Sequence, residues 1–407
     1  MYFWRQKIND YLKNQPFRRP SWVLPVIVFS QFAGTSLWFA GNAVINDLRE
    51  EFQLGYGAIE DLTSAVQLGF ILGTLVFAVL SLADRFSPSK VFFYSALLGA
   101  LANSGVFFLA EGITGLLLFR FLTGFFLAGI YPVGMKISAD WYEKGLGNAL
   151  GLLVGALVIG TSFPHLLKNM TNNLSWEILI FTTSGLALFG GILIYILVPD
   201  GPYRKPMSDF ELKGIFSVFK DRNFRSAAFG YFGHMWELYG FWALVPLILA
   251  NYQKYNQGIQ LNISLWSFLI IAIGGLGCVI GGKLSLNAGS SKVAFYALLI
   301  SGISCLLSPF MFYLDSFWFL VFLLVWGLAV VTDSPQFSTL VAQTAPQQLK
   351  GTALTIVNSI GFAITIVSLQ FLKQAGSWFH EKYVFAWLAV GPVLGCLSIL
   401  QMLKKGF

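Results

Sequence analysis

The chain has 407 residues, of which 56% are hydrophobic and 11% charged, and it carries a formal net charge of +7. Soluble chains devote about a quarter of their residues to charge. The composition therefore excludes a soluble two-domain enzyme, a disordered or collagen-like chain and a disulfide-stapled secreted domain. A polytopic, all-α membrane protein remains.

A spanning helix needs about 20 apolar residues. Twelve such runs follow one another at roughly 22–45, 62–83, 91–110, 113–135, 147–167, 177–198, 226–250, 263–285, 292–312, 316–340, 351–373 and 382–403. The first follows Arg18-Arg19-Pro20 and reads as a retained signal-anchor helix, not a cleaved signal peptide. The longest polar stretch, Pro199 to Arg225, holds Arg204, Lys205, Lys213, Lys220, Arg222 and Arg225. It divides the chain into an N-terminal six-helix bundle (1–198), a cytoplasmic linker (199–225) and a C-terminal six-helix bundle (226–407).

With the N-terminus inside, 20 of the 26 Lys and Arg residues fall in the tail, the linker and the loops on that side. The opposite loops hold 5, and Arg120 lies within the fourth run. This bias places both termini in the cytoplasm. The basic excess is then topological, and no nucleic-acid partner is expected. Cys278, Cys305 and Cys396 all sit in apolar runs, so neither a disulfide framework nor a metal site is expected. No loop can house a soluble catalytic domain, and no Gly-x4-Gly-Lys-Ser/Thr loop exists, so neither an enzyme nor an ATP-driven pump is expected.

The halves echo each other. Pro132 precedes Gly147-Asn148-Ala149-Leu150 by fifteen residues, and Pro335 precedes Gly351-Thr352-Ala353-Leu354 by sixteen. Equivalent placement in both halves suggests a duplicated unit. Gly147, Gly151, Gly155 and Gly160 in the fifth run are read as a surface for close helix packing.

After the second run, Leu82-Ala83-Asp84-Arg85 is followed by Lys90, with Leu80 and Ser87 where glycines would flank the motif. The corresponding second-half loop reads Gly282-Lys283-Leu284-Ser285 through Gly289 and Lys292, and Arg120 with Gly124 forms an Arg-x-x-x-Gly pattern. In these features and in its six-plus-six organisation the chain resembles the major facilitator superfamily. The resemblance implies two six-helix bundles, a gating role for Asp84 and Arg85, and a central cavity lined by the first, fourth, seventh and tenth helices. The drug-antiporter Gly-Pro-x-x-Gly-Gly signature and the nitrate signature are both absent.

Of the 19 acids only Glu237 and Asp333 lie well inside the runs, and of the bases only Arg120; His234 is one turn from Glu237. Charges at mid-bilayer are costly, so such groups face a cavity or pair together. Arg120 is a fixed cation suited to an anionic or hydroxyl-bearing solute. Glu237, with His234 and Asp333, is suited to proton coupling. Alternatively Arg120 pairs with Glu237 or Asp333 in a latch that never touches substrate.

Gln31, Thr35, Trp38 and Asn42 recur at i, i+4, i+7 and i+11, which puts them on one face of a continuous helix. Arg120, Gly124, Leu127 and Tyr131 repeat that spacing. The substrate-binding set is therefore Arg120, Gln31, Thr35, Trp38, Asn42 and Tyr131, with Trp236 and Tyr239 beside Glu237.

The expected function is secondary active transport of a small polar or anionic solute by alternating access, with a proton gradient as energy source and no cofactor. The alternatives are a proton-coupled exporter of cationic or amphiphilic compounds and, from another class, a membrane-embedded transferase or a transport-inactive receptor. The expected setting is the bilayer of a bacterial inner membrane, the partner a small-molecule substrate and the state monomeric.

Overall fold

A computed structural model describes residues 20–142, 146–170, 174–204, 218–346 and 349–403. The tail through Arg19, the linker residues 205–217 with Lys205 and Lys213, and the last four residues lie outside the described residues. Within them every regular element is helical: α1 (Val23–Thr35), α2 (Ala40–Ala43), α3 (Ile45–Phe52), α4 (Ala58–Val79), α5 (Leu82–Arg85) and α6 (Pro88–Leu109). Then come α7 (Gly112–Leu127), α8 (Tyr131–Trp141), α9 (Leu146–Met170), α10 (Trp176–Leu197), α11 (Arg222–Tyr255) and α12 (Ile263–Ala288). The last are α13 (Ser290–Met311), α14 (Ser316–Thr332), α15 (Ser334–Thr344), α16 (Lys350–Trp378), α17 (Glu381–Val384), a 3-10 turn (Phe385–Ala389) and α18 (Val390–Leu403). The chain divides into two compact units, residues 1–54, 68–167 and 171–210 in one, and residues 55–67, 168–170 and 211–407 in the other.

Among the described residues ten helices are long and apolar enough to cross a membrane, counting α7 with α8, α14 with α15, and α17 with α18 as single spans. Two expected runs fall outside this set. The first has only the 13 residues of α1 before its helix breaks. The seventh, α11, has 34 residues, but His234 and Glu237 in its middle dilute its hydropathy.

Polar residues at the helix ends fix where several spans begin. Asp221 accepts from the backbone N–H of Phe224, Asn262 from that of Leu265, and Asp315 from those of Phe317 and Trp318. Each side chain satisfies a first-turn donor that has no intrahelical partner.

The fourth and tenth spans share a break. The chain turns between α7 and α8 at 128–130 and resumes at Tyr131-Pro132; it turns at Asp333 and resumes at Ser334-Pro335. Proline lacks the N–H and its ring obstructs the carbonyl four residues back, so it starts a helix segment more readily than it continues one. The sequence echo thus has a structural counterpart.

Glycines set the closest helix contacts. A Cβ on Gly69 or Gly73 of α4 would stand 2.0 Å from the Phe121 carbonyl oxygen or 2.3 Å from that of Phe125, both on α7. In the second unit a Cβ on Gly277 of α12 would stand 2.5 Å from the Leu328 carbonyl of α14, and one on Gly233 of α11 2.4 Å from the Gly391 carbonyl of α18. Backbones this close exclude any side chain.

The packing surface expected along α9 is corrected in part. Only Gly160 makes such a contact, 2.2 Å from Thr35 Oγ1 for an added Cβ, whereas Gly147, Gly151 and Gly155 face open space among the described residues. The i, i+4 spacing puts the three on one side of the helix, but α1 packs against the side that carries Gly160.

Candidate functional site

In the first unit the central side chain is Arg120, on α7 and 2% exposed. Its Nη2 donates to the Leu37 carbonyl (3.0 Å) and the Trp38 carbonyl (2.5 Å), and its Nη1 to Asn103 Oδ1 on α6 (2.9 Å). The Asn103 Nδ2 group is directed to α10, where it donates to the Ile180 carbonyl, Thr183 Oγ1 and Ser184 Oγ at 3.2, 3.3 and 2.9 Å. Arg120 Nε is buried without a partner among the described residues. The partners that Arg120 does have are all neutral. Among the described residues, ion pairs elsewhere in this unit include those of Lys136 with Asp84 and Asp140 and of Arg204 with Asp200.

These contacts change the expected geometry of the first span. Gln31 and Thr35 share α1, but the helix ends at Thr35; Trp38 lies in the turn that follows and Asn42 on α2. The four residues therefore do not form one continuous stripe. The physical reason is visible at Arg120, which supplies donors to two carbonyls at the break; irregular backbone at membrane depth is tolerated only where such groups are satisfied. Gln31 is fully buried with both amide atoms unpartnered, and its Oε1 would be 2.2 Å from a Cβ on Gly134 of α8. Thr35 donates back to the Gln31 carbonyl at 2.8 Å. Trp38 is buried against Phe70, Asn42 is buried, and Tyr131 stands half-buried at the first position of α8 rather than one turn further along α7.

In the second unit Glu237 and Asp333 sit in separate nests. Glu237 on α11 is 1% exposed, and its Oε1 accepts from Ser301 Oγ and from Cys305 Sγ (3.2 Å) on α13 and from Trp326 Nε1 (2.6 Å) on α14. The Trp326 ring stacks on Phe241 at 4.4 Å. His234, one turn earlier, places Nδ1 2.8 Å from Asp333 Oδ1 at the α14–α15 break. His234 Nε2 and Asp333 Oδ2 are buried without partners, with Tyr231 and Phe337 flanking the imidazole.

Trp236 lies on another side of α11, donating from Nε1 to the Trp387 carbonyl at 3.2 Å and packing on Phe371, while Tyr239 packs on Phe362 and Trp242. The structure thus brings His234 to Asp333, and Glu237 to residues that the spacing did not single out. Asn103, Ser301, Cys305 and Trp326 were all legible as polar or hydrogen-bonding residues inside apolar runs, but sequence alone gave them no partner.

The loop motif lies at the end of the first-unit spans. Asp84 is 2.7 Å from Lys136 on α8, and Arg204 Nη2 donates to the Asp84 and Phe86 carbonyls at 2.8 Å each. Arg85 is exposed and has no side-chain partner among the described residues. The contacts tie the α5 turn to α8 and to the segment leaving α10.

Ten long apolar helices, two of them broken at equivalent prolines, define an integral multi-pass membrane protein. The sequence matches the family profile described as the Major Facilitator Superfamily over residues 26–369. The chain belongs to that superfamily of membrane transporters for small solutes, whose members are in general carriers and not enzymes.

An uncharacterized protein of Campylobacter jejuni, Cj0987c, is 23% identical over 292 residues, 69% of this chain and 86% of that one. The niacin transporter NiaP of Acinetobacter baylyi is 32% identical over 153 residues, 35% of this chain and 32% of the transporter. Among solved structures, a bacterial homolog of the human lysosomal transporter Spinster, in an inward-facing and occupied conformation, superposes with a TM-score of 0.71 at 14% identity. The superposition covers 97% of this chain and 98% of that one. A point mutant of the nucleoside transporter NupG gives 0.71 at 13% identity, covering 93% and 99%. At these identities the solved structures support the fold.

Proposed function

We propose that this chain is a proton-coupled secondary transporter that carries a small organic anion by alternating access. The observation that carries the reading is the neutral shell of Arg120: a buried guanidinium whose partners in its own unit are one amide and two carbonyls. Buried charges are stable when paired, and a carboxylate-bearing solute supplies the missing charge in the planar geometry that guanidinium recognises. The partial likeness to a niacin transporter agrees in chemistry, because niacin is a small monocarboxylate. Gln31, Thr35, Trp38, Asn42 and Tyr131 are proposed as further solute-binding residues of the first unit, and Trp236 and Tyr239 as solute-binding residues of the second.

Glu237 is the proposed proton carrier, with the His234–Asp333 pair as its accessory site. A carboxylate with three donors on one oxygen holds a charge that a proton can cancel without moving a helix. Asp84 and Arg85 are proposed as gating residues. Twelve spans are proposed, the interrupted first run and α11 joining the ten long apolar helices, with both termini in the cytoplasm as the Lys and Arg bias favours, and a bacterial inner membrane is the proposed setting.

The test is uptake of nicotinate into proteoliposomes with an imposed pH gradient. Stimulation by an acidic exterior, lost in Glu237→Gln, and a KM raised at least about tenfold in Arg120→Ala are the expected results. Unchanged gradient dependence in Glu237→Gln removes the proton role, an unchanged KM in Arg120→Ala removes the anion site, and inhibition of uptake by an acidic exterior points to antiport.

A further inference from the structure

We propose that Asn103 is a specificity-determining residue: it orients Arg120 while leaving the guanidinium charge unspent, and so reserves that charge for an anionic solute. The inference rests on the anion reading given above and adds to it the residue that makes the reading possible. A guanidinium inside a bundle can be held by a carboxylate, which binds and neutralises it, or by neutral acceptors, which bind it and leave it cationic. Here the side-chain acceptor is an amide oxygen at 2.9 Å, and the other two acceptors are the Leu37 and Trp38 carbonyls.

The amide cannot turn over without loss. The two hydrogens of its Nδ2 are shared among three acceptors on α10, the Ile180 carbonyl and the hydroxyls of Thr183 and Ser184, and these keep Oδ1 directed at Arg120. Asn103 is fully buried, and so are Thr183 and Ser184. This arrangement fixes the cation's direction through α6 and α10 and leaves Nε, beside Gly41, without a partner among the described residues. An aspartate in place of Asn103 would supply the counter-charge internally, and an incoming carboxylate would then meet a neutral pair. Asn103 acts through Arg120, so it is a positioning residue and not itself a solute ligand.

The experiment compares nicotinate with nicotinamide, its neutral amide, in binding to the purified full-length protein followed by thermal shift and calorimetry. The wild type is expected to prefer the anion. Asn103→Asp is expected to keep a cooperative melt and to lose about a hundredfold in nicotinate affinity while its nicotinamide affinity changes little. Asn103→Ser, which keeps the shell neutral, is expected to retain the preference for nicotinate with weaker binding of both ligands.

A wild type that does not discriminate the two ligands overturns the anion reading itself. A wild type that prefers nicotinate, together with an Asn103→Asp protein that keeps the same preference, overturns the role of Asn103 alone. If Asn103→Asp does not fold, Asn103→Ser decides: loss of the anion preference in that neutral variant refutes the proposal, and retention supports it.

Discussion

The hydrogen bond from Trp326 Nε1 to Glu237 Oε1, at 2.6 Å, offers a way to learn the charge of Glu237 from an energy. Both side chains are buried, and the indole keeps its stack on Phe241 if only its N–H is lost. The perturbation is a double-mutant cycle of Trp326→Phe, Glu237→Leu, which removes the acceptor, and the pair, with unfolding free energies from denaturing-detergent titration. Neutral interhelical hydrogen bonds in bilayers average roughly 0.6 kcal/mol and reach about 1.7. A bond to a charged acceptor is worth about 1.5–3 kcal/mol. A coupling above about 2 kcal/mol therefore identifies an ionised carboxylate, and one near 0.6 a protonated acid.

The pH dependence has a definite sign. The ionised form makes the stronger bond, so the coupling rises as the proton leaves and is larger at about pH 8.5 than at about pH 5.5 if Glu237 titrates in that window. A coupling equal at the two pH values would refute proton exchange at Glu237. A coupling of zero at both would show that the contact does not hold α14 to α11.

Glycine substitutions should separate the tight helix contacts from the open face of α9. Gly69→Ala would set a Cβ 2.0 Å from the Phe121 carbonyl and is expected to cost about 1–3 kcal/mol, whereas Gly151→Ala, with nothing within 4 Å, is expected to gain about 0.5–1 kcal/mol; thermal unfolding reads both. Asp84→Asn should change stability by less than about 1 kcal/mol, because Asp84 and Lys136 are 26% and 25% exposed, yet slow transport, and the reversed pair Asp84→Lys with Lys136→Asp should recover it. Recovery that fails while both proteins fold would remove the pair from gating. Fusions of a cytoplasm-active fluorescent reporter to each terminus should both fluoresce in cells, and a dark fusion at either end would contradict the charge-bias topology.

Much of the fold was legible because a bilayer demands long apolar runs and little else satisfies that demand. The helix breaks were less so. Nothing about Ser36–Phe39 is polar enough to interrupt an apolar run, and the interruption becomes intelligible only when Arg120, more than eighty residues away, is seen donating to the Leu37 and Trp38 carbonyls. The i, i+11 stripe assumed one unbroken helix and was lost with it.

The glycines of α9 show a second limit. Spacing identifies a helix face, but which face meets a neighbour depends on the neighbour, and Gly160 rather than the 147–151–155 row met α1. For the buried charges, cost in hydrocarbon marked Arg120, Glu237 and Asp333 from sequence. Their partners were beyond reach, because Asn103, Ser301, Cys305 and Trp326 are ordinary residues until helices are set side by side.

The two units repeat some features and not others, and the difference separates scaffold from chemistry. The break before Pro132 recurs before Pro335. The approach of Gly73 to the Phe125 carbonyl, seven residues before the first proline, recurs as Gly277 on the Leu328 carbonyl, seven before the second. These contacts serve helix packing in both units.

The charges do not recur. The position twelve before Pro132 is Arg120, and twelve before Pro335 it is Leu323; the position two before Pro335 is Asp333, and two before Pro132 it is Ile130. The proline-marked break forms in both units whether these two places carry a charged or an aliphatic side chain, so that break does not require the ionised group. The break after α1, held by Arg120, has no counterpart in the continuous α11. A charge in hydrocarbon costs from about 2.5 kcal/mol upward. On the proposed reading, the reason for bearing that cost is solute binding at Arg120 in one unit and proton exchange at Glu237 in the other.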